Sequence, residues 1–389
     1  MKSYKFRIYP GKQQEAMLVE HLCTSKDIWN SLLSKSKEKY GKEGKFYSKT
    51  ELQKMVKGTL LYSQTAQAVS HRLHTAIKRK IDMKKQHRKC GFPRFKSIER
   101  TKSLYYPQSG FSLSEKLKVS PFGKITIVRH RQIEGKIKTL TLKRESSGKW
   151  FAIFCSKSTA SSPKINNGSA IGIDMGLEKF AALSDGTMIK NPRHLKLKEK
   201  KLAHYQQLLS KKKKGSKNRR RARLKLARVY EKVANCRKDF LHKTANSIIS
   251  KYSLIAIEDL DSQSLSSKGH GKGINDAAWA KFAGIIAYKA ESAGCKIVLV
   301  DPRNTSQLCS GCGEIVQKAL WDRQHSCKNC GLSIDRDTNA SINILKRALQ
   351  WKAAAKDASS ACEATAGIAG SNACGDGTTV PSVKQEAQT

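Results

Sequence analysis

The chain has 389 residues, with 75 Lys+Arg against 31 Asp+Glu and a formal net charge of +44. A compact fold repels itself under that excess unless a polyanion neutralises it, so nucleic acid is the expected partner and a membrane is not. No uncharged apolar run spans a bilayer, since "FAGIIAYKAESAGCKIVLV" is broken by Lys289, Glu291 and Lys296, and "MKSYKFRIYP" lacks the apolar core of a signal peptide.

In chain order, "SYKFRIYP" alternates as a strand does and stops at Pro10. Helical periodicity follows from Lys12 to about Lys85, clearest in "QQEAMLVEHL" and "TAQAVSHRLHTAIKRKIDM". "GFPRFKS" breaks it, and "KITIVRH", "IKTLTLKRE" and "KWFAIFCSK" then predict a small β unit, a barrel completed by the first strand. After the polar linker "STASSPKINNGS", the stretch "AIGIDMGLEKFAALSDGTMIK" places two strands around the turn Asp185-Gly186. Helices are predicted from about Leu195 to Ile249, interrupted by "KKKKGSKNRRR", where eight of eleven residues are basic. "YSLIAIED" reads as a strand, "DAAWAKFAGIIAYKAESAG" as one helix, "KIVLVDP" as a strand and "TNASINILKRALQW" as a closing helix. From about Ala353 the Ala, Ser, Gly and Thr composition predicts a disordered tail over 353–389.

Of the 11 cysteines, seven are scattered singly, which fits a reducing, intracellular setting. The other four form "CSGCG" and "CKNCG": Cys309, Cys312, Cys327 and Cys330, as C-x2-C, fourteen residues, C-x2-C. Two such knuckles supply the four tetrahedral thiolates of a structural Zn²⁺ site, with Gly313 and Gly331 easing each turn. Two unmetallated turns or a redox disulfide are the alternatives. "EIVQKALWDRQHS" between the pairs is predicted to form short ribbon strands.

Carboxylates end two of the predicted strands. Alternation puts Ala170, Gly172 and Asp174 on one face of the first, and Ala256 and Glu258 on one face of the second. Small neighbours predict room beside each acid for a hydrated metal and a phosphate. Two Mg²⁺ ions held by such carboxylates about 4 Å apart would activate water and stabilise a leaving oxygen. "DRDTNA" offers a third acid, Asp335 or Asp337, although Asp337 could equally be an N-cap, and Asp174 and Glu258 could simply pair with Lys or Arg.

The element order fits a ribonuclease-H-like α/β sheet. "IGIDMG", "IAIEDL" and "DRDTNASINIL" resemble the three RuvC nuclease motifs of the TnpB family, and "TSQLCSGCG" with "CKNCG" resembles that family's zinc ribbon. "YKFRIYPGKQQE" and "GFPRFKS" are similar to its N-terminal region, so the resemblance covers about residues 1–350. The family implies an RNA-guided DNA endonuclease of a bacterial or archaeal insertion sequence, cytoplasmic and nucleoid-associated, akin to type V CRISPR effectors. It implies that Asp174, Glu258 and Asp337 are catalytic acids holding Mg²⁺. Its partners would be a guide RNA from the transposon end and target double-stranded DNA, with no protein oligomer required. The implied architecture is a multidomain α/β protein. A β-barrel spans 1–10 and 101–160, and a helical recognition domain 11–100. The RuvC-like domain spans 168–304 and 334–352, with the ribbon at 305–333. Ser341 stands where many relatives have Ala. Two rivals remain: a nuclease-inactive RNA-guided DNA-binding protein, and a non-catalytic zinc-ribbon RNA-binding protein.

Duplex and guide contacts are expected from basic stretches. Lys211, Lys212, Lys213, Lys214, Arg219, Arg220 and Arg221 form the densest, with a solvated helical hairpin as the alternative. Lys78 shares a helix face with His71 and His74. By resemblance, Gln67, Arg72, Lys102 and Ser103 are candidates for reading a short transposon-adjacent motif.

Overall fold

A computed structural model describes residues 1–157, 168–260, 271–319 and 321–363. The linker expected after 157 and the tail beyond 363 lie outside them. The chain divides into two compact units, one of residues 1–162 and 194–238, the other of residues 163–193 and 239–389. The helical stretch 194–238, expected within the 168–304 segment, therefore clusters with the N-terminal residues.

The first unit is built on a seven-stranded, barrel-like sheet. Its strands are β1 (Lys2–Tyr9), β2 (Ser103–Tyr106), β3 (Phe111–Leu113), β4 (Leu117–Val119), β5 (Gly123–Val128), β6 (Lys136–Arg144) and β7 (Trp150–Lys157), in the order β2-β6-β7-β1-β5-β4-β3. The N-terminal strand thus sits centrally, antiparallel to both β5 and β7. Its alternation buries Tyr4, Phe6 and Ile8 against Phe154 and Leu140. Each such side chain contributes about 2 kcal/mol of burial. Helices α1 (Lys12–Glu43), α2 (Lys49–Lys54) and α3 (Ser63–Lys85) follow β1. On α1, Leu18, Leu22, Trp29 and Leu33 form the apolar stripe, and Gly44 ends the helix at φ 66°, where a side chain would be strained. Two more helices, α4 (Glu199–Ser210) and α5 (Lys217–Ile249), belong to this unit up to residue 238.

The second unit carries a five-stranded sheet in the order β10-β9-β8-β11-β12. The strands are β8 (Ser169–Met175), β9 (Lys179–Leu183), β10 (Met188–Lys190), β11 (Tyr252–Glu258) and β12 (Lys296–Val300). β11 runs parallel to both β8 and β12, while β9 is antiparallel to its neighbours. The segment expected to hold two strands holds three, because the chain also turns back at Gly176. One face of the sheet packs Ile171, Ile173, Ile255 and Ile257 under α6 (Gly271–Ala277) and α7 (Trp279–Ala293). The single helix expected over that stretch is broken at Ala278, whose φ of 57° leaves the right-handed region. A two-stranded ribbon, β13 (Gln324–Ser326) with β14 (Ser333–Asp335), precedes α8 (Arg336–Glu363). Among the described residues, only the end of the expected ribbon stretch is strand, with one further bridge between Leu308 and Ile315. α8 continues ten residues past the point where the tail was expected to begin. Among the described residues, no helix is long and apolar enough to cross a membrane.

Candidate active site and metal centre

The second face of the five-stranded sheet sets the carboxylates. Ala170, Leu254, Ala256, Val298 and Val300 pack there against Ile344, Leu345 and Ala348 of α8. A Cβ built on Gly172 would stand 2.1 Å from the Ser341 carbonyl oxygen and 2.8 Å from the Leu345 nitrogen. The small residues therefore seat a helix backbone. The space beside Gly172 is taken up by the α8 backbone, and what the close approach delivers is the start of α8, with Asp337, to the sheet.

Parallel register pairs Ile257 with Ile173, so one step further Glu258 neighbours Asp174 on that face. Electrostatics records the convergence. The Asp174 carboxyl is pushed up to about 8, first by burial and then by the charges of Glu258 and Asp337, with Arg336 opposing and Asp335 adding a smaller push. Glu258 is 8% exposed. Burial raises its carboxyl, the Thr305 hydroxyl and Arg347 oppose the rise, and Thr305 Oγ1 donates to Glu258 Oε1 at 2.6 Å.

The two aspartates of "DRD" divide their duties. Asp335 Oδ1 accepts from the Asp337 and Thr338 backbone N–H groups at 3.0 and 3.2 Å, and Lys179 Nζ donates to Asp335 Oδ2 at 2.7 Å. Asp335 is thus the N-cap, and the cap role considered for Asp337 is filled by its neighbour. Burial acts to raise the Asp335 carboxyl, but Lys179 and the cap N–H groups hold it below its ordinary value. The Asp337 carboxylate lies 3.5 Å from Arg336 Nε and is free of capping.

The four cysteines bring their sulfurs within 4.8 Å of one another. Cys309 and Cys330 sulfurs are 3.5 Å apart and those of Cys312 and Cys327 3.6 Å, far beyond the roughly 2.05 Å of a disulfide. Tetrahedral coordination at about 2.3 Å places sulfurs roughly 3.8 Å apart, so this set could hold a metal ion. Gly313 and Gly331 adopt φ of 84° and 73°. A Cβ on Gly311 would meet Cys330 Sγ at 3.2 Å. The Cys312 thiol is lowered to about 7, first by the Glu314 backbone N–H. Among the described residues, the three carboxylates do not draw together to the cysteines' span.

Residues that spacing did not reveal join the two clusters. Asn339 Nδ2 donates to the Leu308 carbonyl at 2.7 Å, while its Oδ1 accepts from Ser310 N at 2.9 Å. Asn343 Nδ2 donates to the carbonyls of Thr305 and Leu308 at 2.9 and 2.6 Å. Both side chains are buried. Two asparagines four residues apart, on the helix face they share with Arg336, Lys346 and Arg347, were the available signal. Thr305 and Arg347, which donates to the Asp301 and Arg303 carbonyls, left none.

The nucleic-acid candidates are dispersed over the first unit. Lys211, Lys212, Lys213, Lys214, Arg220 and Arg221 are exposed. Arg219 differs: its guanidinium donates to the Leu209 and Lys212 carbonyls at 2.9 and 2.7 Å, closing the end of α4, so the side chain is turned inward. Arg72 stacks over the Tyr105 ring at 5.0 Å, and Lys102 Nζ donates to Ser146 Oγ at 2.7 Å. Gln67 and Ser103 are half-buried, and Lys78 is exposed.

Residues 153–268, which include Asp174 and Glu258, match a family described as "Probable transposase". Residues 279–344, with the cysteines and Asp337, match one described as "Cas12f1-like, TNB domain". Residues 1–45 match a "Helix-turn-helix domain" description, and here form β1 and α1. A Streptomyces pristinaespiralis protein named as an RNA-guided DNA endonuclease is 30% identical over 423 residues, spanning 100% of this chain and 96% of the other. An Escherichia coli K12 protein named RNA-guided DNA endonuclease InsQ is 27% identical over 373 residues, spanning 89% and 92%. The solved structure titled "Cryo-EM structure of the Cas12f1-sgRNA-target DNA complex" shares the fold, with a TM-score of 0.54, 16% identity and coverage of 86% and 83%. The fold is a multidomain one of mixed helices and strands, and the relatives that match nearly the whole chain are named for acting on DNA. The chain belongs to the TnpB family.

Proposed function

We propose that the chain is an RNA-guided DNA endonuclease that hydrolyses phosphodiesters at a ribonuclease-H-like, RuvC-type site. One observation carries this: Asp174, Glu258 and Asp337, far apart in sequence, converge until burial and mutual repulsion push the Asp174 carboxyl up to about 8. Carboxylates so crowded are poorly suited to a structural role, and divalent cations would relieve the repulsion. Two Mg²⁺ ions, when bound, would supply water activation and leaving-group stabilisation. The protein's part is to position the acids: β8 and β11 by register, α8 by its contact on Gly172. Thr305 fixes the rotamer of Glu258, and Asp335 caps α8 so that Asp337 keeps its carboxylate for the site. The cysteine quartet would hold Zn²⁺ and stiffen the segment carrying Thr305. The excess of positive charge would hold the guide RNA and the target duplex.

The test is cleavage of a guide-matched plasmid with Mg²⁺, screened over randomised flanking DNA. Native protein is expected to cut, and Asp174→Ala to bind the target yet cut at least about a thousandfold more slowly. Native protein that binds its matched target and leaves it intact would overturn the proposal in favour of an RNA-guided binding protein.

A further inference from the structure

The segment 301–310, between β12 and the first cysteine pair, lays a row of backbone carbonyls along one face of α8. Arg347 donates to the carbonyls of Asp301 and Arg303, and Asn343 to those of Thr305 and Leu308. Asn339 also donates to the Leu308 carbonyl, and Lys346 to that of Ser310. Carbonyls shut away from water need donors, so this helix face fixes the path of the segment. Asn343 is 2% exposed, and water cannot take its place.

Asn343 stands at the junction of the two clusters. Its two acceptors lie at the two ends of one tight turn, which Leu308 N closes by donating to the Asn304 carbonyl at 3.0 Å, with Asn304 at φ 57°. At one end, the Thr305 hydroxyl has a single proton to give. The 2.6 Å contact with Glu258 Oε1 takes it in preference to the 3.1 Å contact with the Pro302 carbonyl, because a carboxylate is the stronger acceptor. That bond holds the Glu258 carboxylate in one orientation. At the other end, Leu308 is followed at once by Cys309, whose N–H donates to the Glu314 carbonyl at 2.8 Å within the knuckle. A metal ion drawn into the quartet would pin Cys309 Sγ, and with it that end of the turn. One short turn thus links a thiolate of one cluster to the hydroxyl that orients an acid of the other.

We propose that Asn343 is a positioning residue that couples the two clusters, so that zinc in the cysteine quartet raises the affinity of the acids for a divalent cation. Zinc fixes Cys309, Asn343 fixes the turn, and the Thr305 hydroxyl sets the Glu258 carboxylate, while the sheet itself is untouched. The proposal rests on the reading that Asp174, Glu258 and Asp337 hold divalent cations. The test titrates the full chain, free of nucleic acid, with Mn²⁺ followed by electron paramagnetic resonance, both zinc-loaded and after a chelator has stripped the zinc. Zinc-loaded native protein is expected to bind Mn²⁺ at a site that Asp174→Ala removes, and stripping is expected to weaken that binding about tenfold. Asn343→Leu is expected to keep its zinc yet bind Mn²⁺ about tenfold more weakly than native. Stripping this variant should change binding by less than about twofold, because the two losses share one route. Thr305→Val, similar in shape but without the hydroxyl, should behave as Asn343→Leu does, and Thr305→Ser should restore both the affinity and the effect of zinc. An asparagine that only stabilised the fold would lower the urea midpoint of Asn343→Leu and leave the effect of zinc on Mn²⁺ in place. If no Mn²⁺ site depends on Asp174, the metal reading and the coupling fall together. If that site is present but indifferent to zinc, or if the effect of zinc persists in Asn343→Leu and Thr305→Val, the coupling alone is overturned.

Discussion

The cysteine cluster and the carboxylate cluster lie in one unit but are assembled by opposite means. The four thiols come from residues 309–330, and each pair is closed by a local turn with glycine at positive φ. The three acids come from positions 174, 258 and 337, and meet only because parallel register and a close helix–sheet contact bring them together. One site needs its own segment to fold. The other needs the whole unit. Local disruption should therefore stay local in the first, while distant changes should reach the second.

The largest expected effect is on the local site. Cys312→Ser should take bound zinc from one ion per chain to none by elemental analysis, and should speed amide exchange across 305–335 while leaving the β8–β11 core protected. Loss of protection throughout the sheet would erase the contrast. Next comes Gly172→Ala, a change far from any metal ligand in the ribbon. Its methyl group would stand 2.1 Å from the Ser341 carbonyl, so α8 must shift. Overpacking of this kind costs about 3 kcal/mol, read by urea unfolding, and guided cleavage should fall with zinc content unchanged.

That glycine also shows where the sequence stopped being legible. Alternation was enough to put Asp174 and Glu258 on a face of small residues, and the resemblance pointed to Asp337. The purpose of the small residues was not legible, because an empty face and a face waiting for a helix have the same pattern. Only the position of α8 separates them. The same holds for "DRD": the assignment of the cap to Asp335 depends on which carboxylate reaches the N–H groups of Asp337 and Thr338 and on Lys179, which lies 156 residues away. The C-x2-C pairs were legible because their geometry is local, and alternation marked β1 as a barrel strand, though not its central place between β7 and β5. Arg219 shows the converse. A basic run announces charge, and says nothing of an arginine that folds back to close the preceding helix.

A further effect comes from pH. The Asp174 carboxyl is raised to about 8 in the folded chain against an ordinary value of 3.8. Between these the native state holds a proton that the unfolded chain has lost, so this group's contribution to stability falls as pH rises from about 4 to about 8 and is flat above. In magnesium-free buffer, Asp174→Asn should remove that slope. Urea midpoints for native and variant protein at pH 5 and pH 8 check it: the variant should gain relative stability at the higher pH.

The division of labour within "DRD" tests the central claim most directly. The measurement is the rate of guided, Mg²⁺-dependent cleavage by Asp337→Ala and by Asp335→Asn, each with its thermal midpoint. If Asp337 belongs to the catalytic site and Asp335 only caps α8, Asp337→Ala should slow cleavage at least about a thousandfold with a near-native midpoint. Asp335→Asn should cost at most about 1 kcal/mol of stability, because asparagine still caps, and should keep cleavage within about tenfold of native. The reverse order of cleavage rates would contradict the account.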